Sequence, residues 1–226
     1  MDVSTADFDR SNLCLTWLKT HHAQGLSNIY YKYSSEVGGS LGCYAARDFI
    51  VGEVMFSIPQ KCLFGIGNTS GSDLSKTVRA AAIELGNSKL VTSELLIWLH
   101  MCQQRADPNS MFYPYFHSLD ALPPNLDNWP TELKEAFSGT SLATSLAENA
   151  PQNSIGAHLA LLKHAFSNNT SSCDAFVPSH FDRTSLAWAR GHYLSRRYPG
   201  KYASDQSIQA GSLFLTLYLL ITFCDT

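Results

Sequence analysis

Residues 29–58 restrict the possible folds of this chain more than any other segment. They are rich in β-branched and aromatic residues and are interrupted by glycines, in the strings IYYKYSSEV and GGSLGCYAARDFIVGEVMFSIP. This pattern is typical of short strands joined by tight turns. The sequence therefore predicts three strands, with a turn at Val51 and Gly52 and the end of the last strand at Pro59.

Helical spacing of apolar residues predicts helices on both sides of the following polar loop. A leading helix is predicted within residues 8–25. Two helices of about four turns are predicted in the strings DLSKTVRAAAIELGN and SKLVTSELLIWLHMCQQRAD. Asp73 and Ser88 are the expected N-caps of this pair, and Gly86 and Pro108 are the expected stops.

The later part of the chain also has helical character. A third helical group is predicted over residues 131–167, and the string FVPSHFDRTSLAWARGHYLSRRYP predicts one helix ended by Pro199 and Gly200. The terminal run SLFLTLYLLITF has only 12 residues, whereas a bilayer span needs about 20. The run is compatible with a buried strand or helix, with a non-native read-through terminus, or with an anchor on a membrane surface. The scarcity of flanking basic residues disfavours the anchor.

Composition excludes several classes of partner. The chain has 16 basic and 19 acidic residues, a balance that gives no strong field for nucleic acid or for an acidic membrane. Its six cysteines form no CxxC pair and no Cys/His spacing suited to zinc, so no metal site is predicted. The N-terminal string MDVSTADFDR lacks the features of a signal peptide, which predicts a cytoplasmic protein and leaves a nuclear or organellar location open.

An aromatic set, Phe112, Tyr113, Tyr115 and Phe116, lies in a segment that contains prolines. Such residues could line a groove for a peptide, but aromatic residues in a segment with prolines more often pack at a domain junction. Packing is the favoured interpretation, and Tyr115 is the residue for which both alternatives stay open.

Four strings together resemble one family. The string GGSLGCYAARDFIVGEVMFSIPQ is similar to the opening motif of SET domains, in the branch of the Rubisco large-subunit and actin-histidine methyltransferases. Residues 94–122 resemble the helical insert of that branch, WPTELKEAFSGTSLA resembles its Glu-Leu and Gly-Thr element, and WARGHYLSRRY resembles its Trp-Ala and Ser-Arg helix. The four matches occur in the order of the family over roughly residues 29–198.

The resemblance implies an α+β fold in which a β-rich SET domain is interrupted by a large helical insert. It divides the chain into an N-terminal helix (residues 1–27), N-terminal SET strands (28–66), the helical insert (67–174), the start of the C-terminal SET part (175–200) and an atypical tail (201–226). In the family the chain continues into an Asn-His motif and later supplies a tyrosine that orients the target amine. Neither motif follows here, so the sequence predicts a truncated form that lacks the C-terminal half of the SET domain.

The resemblance implies S-adenosylmethionine as cofactor and assigns four residues to its binding. The backbone of Gly39, Ser40 and Leu41 would meet the amino-acid and adenine portions, and Arg196 would pair with the carboxylate. A guanidinium offers carboxylates a bidentate match. The alternative for Arg196 is a solvated arginine at a helix end, beside other arginines of the same segment.

The implied activity is methyl transfer to a protein side-chain nitrogen, with lysine favoured over histidine. The partner would be a protein substrate, and the sequence leaves the oligomeric state and the catalytic residues unassigned. Because the family's last motifs are missing, the truncated form could also be inactive. The alternative function is that of a non-catalytic short isoform that docks a protein through the helical insert.

Overall fold

The computed structural model describes residues 5–34, 40–119, 131–141, 155–168, 177–199 and 213–215. Within these ranges the chain is mostly helical, with two small antiparallel sheets, which agrees with the predicted α+β class. The helices and strands, in chain order, are α1 (Thr5–Thr20), β1 (Ile29–Ser34), β2 (Ser40–Ala45), α2 (Asp73–Glu84), α3 (Ser93–Ala106), α4 (Tyr113–His117), α5 (Thr131–Ala136), α6 (Ile155–Asn168), α7 (Arg183–Arg196), β3 (Arg197–Pro199) and β4 (Leu213–Leu215).

The chain divides into two compact units. Unit 1 comprises Met1–Phe64, Asn109–Leu119 and Arg196–Thr226. Unit 2 comprises Gly65–Pro108 and Asp120–Ser195. Each unit is thus assembled from stretches that are not continuous in the sequence, and those of unit 1 are far apart.

A hairpin of β1 and β2 forms in unit 1, with a register that runs from the pair Ile29 and Ala45 to the pair Ser34 and Ser40. The predicted turn at Val51 and Gly52 is confirmed, since Gly52 has φ +88°. The third predicted strand was wrong, because the segment after this turn forms only an isolated β-bridge.

The isolated bridge joins Gln24 and Ser57 through two backbone hydrogen bonds of 3.0 Å. The ladder cannot extend because Gly25, next to Gln24, adopts φ +73° and turns the chain into a short 3₁₀ helix at Leu26–Asn28. The β-branched and aromatic residues after the turn therefore formed no strand, because the opposite backbone pairs with them in a single antiparallel bridge.

Gly25 also lies against the opposite backbone. A Cβ atom at this position would lie 2.8 Å from the Cα of Phe56 and closer still to the carbonyl oxygen of Met55. The side chain of Asn28 donates a hydrogen bond of 2.7 Å from Nδ2 to the same carbonyl. Glycine is thus required at position 25 both for its left-handed conformation and for this close approach.

The helix starts differ from the predicted caps. The N-cap of α2 is Ser72, one residue before Asp73, and the N-cap of α3 is Thr92 instead of Ser88. In both, the hydroxyl accepts a hydrogen bond of 3.1 Å from the backbone N–H three residues later. Each neighbourhood offers several candidate cap side chains, and extended backbone at Ser72 and Thr92 decides between them.

The single helix predicted from residue 176 onward is divided. A 3₁₀ turn at Pro178–Phe181 precedes α7, and the last three residues before Gly200 form β3, which pairs with β4. The apolar terminal run therefore contributes a strand at Leu213–Leu215. Among the residues that the structure describes, no helix has the length and apolar character needed to cross a bilayer.

The middle of α3 lies in the core of unit 2. Its residues from Leu95 to Cys102 are all buried, so this part of the helix is covered on every side. His100 lies within it, with Nδ1 2.8 Å from the carbonyl oxygen of Leu96 and Nε2 2.6 Å from the hydroxyl of Ser72. Because Ser72 also caps α2, the imidazole joins α3 to the start of α2. Burial lowers the pKa of His100, so the ring is neutral at pH 7.

We expect Gly25→Ala to lower the free energy of unfolding by at least about 2 kcal/mol, since the new methyl group adds overlap to left-handed strain. Gly86→Ala is the control, because Gly86 has a similar φ of +65° and no neighbouring atom within 4 Å of an added Cβ. It should cost only about 1 kcal/mol. Urea unfolding measures both variants, and equal losses would contradict the close approach.

Acidification should destabilise the protein partly through His100. Its folded-state pKa lies below the unfolded value near 6.5, so the unfolded state binds the proton more readily. The stability contributed by neutral His100 is complete above pH 6.5 and is lost as the pH falls below that value. In urea unfolding between pH 7 and pH 5, His100→Asn should flatten the pH dependence, whereas His22→Asn, an exposed control, should leave it as in the wild type.

Candidate functional site

The predicted cofactor loop lies at the turn end of the β1–β2 hairpin. Gly39 lies outside the described residues, and Ser40 and Leu41 are the first two residues of β2. Their partners across the hairpin are Ser34 and Tyr33 of β1. Antiparallel pairing therefore fixes the backbone of Ser40 and Leu41.

Arg196, the last residue of α7, is buried. Only 6% of its surface is exposed, and it belongs to unit 1 together with the hairpin. The alternative of a solvated helix-end arginine is therefore wrong for this residue. By contrast, Arg197 is exposed, and the guanidinium of Arg190 lies 5.8 Å from the ring centre of Trp98.

Three side chains of unit 1 lie within the electrostatic reach of Arg196. They are the thiol of Cys14 and the phenols of Tyr31 and Tyr115. We call these four residues the Arg196 cluster. They come from α1, β1, α4 and the end of α7.

Burial controls the protonation of the cluster. It raises the pKa of Cys14 to about 12, against the lowering effects of a hydrogen bond with Ser118 and of the Arg196 charge. Burial likewise raises the pKa of Tyr31 and of Tyr115, and the charge of Arg196 opposes the rise at both. At neutral pH the thiol and both phenols therefore keep their protons.

Packing around Trp17 positions two members of the cluster. The indole of Trp17 stacks on the ring of Tyr115 at 5.3 Å between centroids, and its Nε1 donates a hydrogen bond of 2.7 Å to the carbonyl of Met111. Cys14 lies one helical turn before Trp17 on α1, and residues three apart share a helix face. The helix thus brings Cys14 to the same side as Tyr115.

The aromatic set around α4 forms a core, which confirms the favoured interpretation of packing. Phe112, Tyr115 and Phe116 are buried. Phe64 packs edge-on against Phe112 at 5.0 Å and against Phe116 at 5.3 Å. Tyr113 is half-buried and lies over His117, with ring centroids 4.0 Å apart.

Sequence reasoning missed Cys14 and Tyr31 as members of the site. Tyr31 pairs with Cys43 across the hairpin, and Cys43 is itself buried with its pKa raised to about 11 by burial. The only local signal was the spacing of Cys14 and Trp17 on one helix face. Nothing in the neighbouring sequence indicates that either residue meets Arg196, which is more than 150 residues away.

The cluster has the chemistry of an anion site. A guanidinium buried beside hydroxyl donors favours a carboxylate, because charge-assisted hydrogen bonds are stronger away from water. In the described part of the chain, no three His, Cys, Asp or Glu side chains lie together as a metal-ligand set.

Comparison with solved structures identifies the fold. The chain superposes on the SET domain of LSMT bound to lysine and AdoHcy with a TM-score of 0.66 and 16% identity, over 95% of this chain and 43% of that chain. For Rubisco LSMT bound to sinefungin and monomethyllysine the TM-score is 0.62 at 17% identity, over 87% of this chain and 41% of that chain. For Rubisco LSMT bound to AdoMet the TM-score is 0.61 at 16% identity.

No family model and no curated protein sequence matches the chain. The identity to the solved structures is too low to transfer residue roles, and the chain spans about two fifths of their length. The likeness nevertheless covers most of this chain. The protein therefore has the fold of the Rubisco LSMT SET-domain structures over that part of their length.

Proposed function

We propose that this chain carries the cofactor-binding part of a SET-domain methyltransferase, which transfers a methyl group from S-adenosylmethionine to a lysine of a protein substrate. The fold supports the proposal, because the similar solved structures are those of LSMT with AdoMet, AdoHcy or sinefungin, and with lysine or methyllysine. The four sequence matches to the SET family support it independently.

The burial of Arg196 in the same unit as the hairpin is the observation that carries the proposal. A guanidinium is planar and presents its N–H donors in a fixed geometry that matches the two oxygens of a carboxylate. The amino-acid end of S-adenosylmethionine has a carboxylate of the required charge and shape. Arg196 therefore fits the role of binding this carboxylate in two parallel hydrogen bonds.

The hairpin would provide the second half of the site. In this proposal the backbone groups of Gly39, Ser40 and Leu41 bind the rest of the cofactor. Backbone N–H and C=O groups do not titrate, so their contribution to binding does not depend on pH. The pairing of Ser40 and Leu41 with β1 fixes these groups before the ligand arrives.

Bound S-adenosylmethionine would supply a sulfonium methyl group, which an uncharged amine can accept by an in-line approach. Gly39, Ser40, Leu41 and Arg196 would bind and orient the cofactor. None of these residues has a proposed role in deprotonating or orienting the amine. Cofactor binding and methyl transfer are therefore separable properties of this chain. The predicted helical insert, residues 67–174, would contact the protein substrate in the complete reaction.

Titration calorimetry of S-adenosylmethionine into the chain of residues 1–226 tests the proposal. Saturable binding is expected, and Arg196→Ala should weaken it by about ten- to a hundredfold, which corresponds to the loss of hydrogen bonds to a charged group. Arg183→Ala is the matched control, because Arg183 is the exposed first residue of the same helix. Absence of binding in a folded sample, or equal weakening by both substitutions, would contradict the proposal.

A further inference from the structure

The phenolic oxygen of Tyr115 is buried, and it has no hydrogen-bond partner among the residues that the structure describes. The whole side chain is only 3% exposed. Its ring packs between aromatic neighbours, with the indole of Trp17 at 5.3 Å and the ring of Phe116 at the same centroid distance.

A phenylalanine would make the same ring contacts without burying a hydroxyl. Buried polar groups in proteins are nearly always hydrogen-bonded, and an unsatisfied one is destabilising. The packing of Tyr115 therefore explains why an aromatic ring lies at this position, but not why the ring has a hydroxyl group. The hydroxyl needs a hydrogen-bond partner that the described residues do not provide.

The surroundings of the hydroxyl indicate which partner fits. Tyr115 lies within the electrostatic reach of Arg196 and Cys14, and Tyr31 interacts with the same arginine. Burial keeps the phenol protonated, so Tyr115 can donate a hydrogen bond at neutral pH. A group that accepts a hydrogen bond and also carries negative charge suits both Tyr115 and Arg196.

A carboxylate meets both requirements. It has two oxygens with about four acceptor sites, and it accepts two hydrogen bonds from a guanidinium while leaving others for a neutral donor. Water could accept hydrogen bonds from the phenol and from the guanidinium, but it has no net charge to balance that of Arg196. The combination of donor and cation therefore favours an organic acid over solvent.

We propose that Tyr115 donates its phenolic hydrogen to the same ligand carboxylate that Arg196 binds. The inference rests on the proposed function and adds a second residue to the amino-acid end of the S-adenosylmethionine site. Because the hydroxyl is closed to solvent, the ligand reaches it only when neighbouring side chains move. Tyr115 is in this role a binding residue, and it takes no part in the transfer of the methyl group.

The test combines Tyr115→Phe, which removes only the hydroxyl, with two ligands in titration calorimetry. S-adenosylmethionine is compared with decarboxylated S-adenosylmethionine, which keeps the sulfonium and the adenosine but lacks the carboxylate. Tyr115→Phe should weaken binding of the first ligand about tenfold and leave binding of the second unchanged. The melting temperature should stay the same or rise, because the variant buries one unsatisfied group fewer.

Tyr113→Phe is the matched control, because Tyr113 lies on the same short helix, is half-buried and has its ring over that of His117. It should change neither affinity. If S-adenosylmethionine binds and Arg196→Ala weakens it but Tyr115→Phe does not, the role of Tyr115 is overturned and the proposed function stands.

Two further outcomes also decide the matter. If Tyr115→Phe lowers the melting temperature and weakens both ligands equally, the hydroxyl has a structural role and the inference is wrong. If the folded wild-type chain binds neither ligand, the proposed function and the inference fail together.

Discussion

The contact between Trp17 and the segment around Tyr115 is the interaction on which unit 1 depends. One indole stacks on Tyr115 and donates a hydrogen bond to the carbonyl of Met111, 94 residues away in the sequence. It therefore joins the N-terminal helix to a stretch that enters the unit only at residue 109. An indole combines a large apolar surface with one N–H donor. The side chain of Trp17 therefore contributes both buried apolar area and a directional hydrogen bond.

The position of Arg196 gives this packed core its chemical character. Its charge lies among a thiol and two phenols that burial keeps protonated. In such surroundings an electrostatic interaction with an anion is much stronger than at a solvated surface. The proposed carboxylate site therefore depends on the same burial that stabilises the core, and binding and folding share their residues.

Local patterns were reliable where local forces dominate. Helical spacing predicted α2 and α3, and Gly86 follows the end of α2 in a left-handed conformation, as expected of a stop. The caps were displaced because several hydroxyl and carboxylate side chains lie near each helix start. The prediction of a third strand was wrong for a non-local reason. The backbone opposite residues 51–58 turns away at Gly25, and the sequence of residues 51–58 does not indicate this turn.

The sequence by itself determined the leading helix, α2, α3 and the β1–β2 hairpin, and its resemblance to the SET family implied Gly39, Ser40, Leu41 and Arg196 as a candidate site. The helices and the hairpin follow from the spacing and type of residues in short stretches. The tertiary structure alone decided that Arg196 is buried and that Cys14, Tyr31 and Tyr115 lie within its electrostatic reach. Burial and electrostatic proximity depend on which distant segments pack together. The hydrophobic effect that drives this packing is non-directional, so a local sequence pattern does not specify which segments will meet.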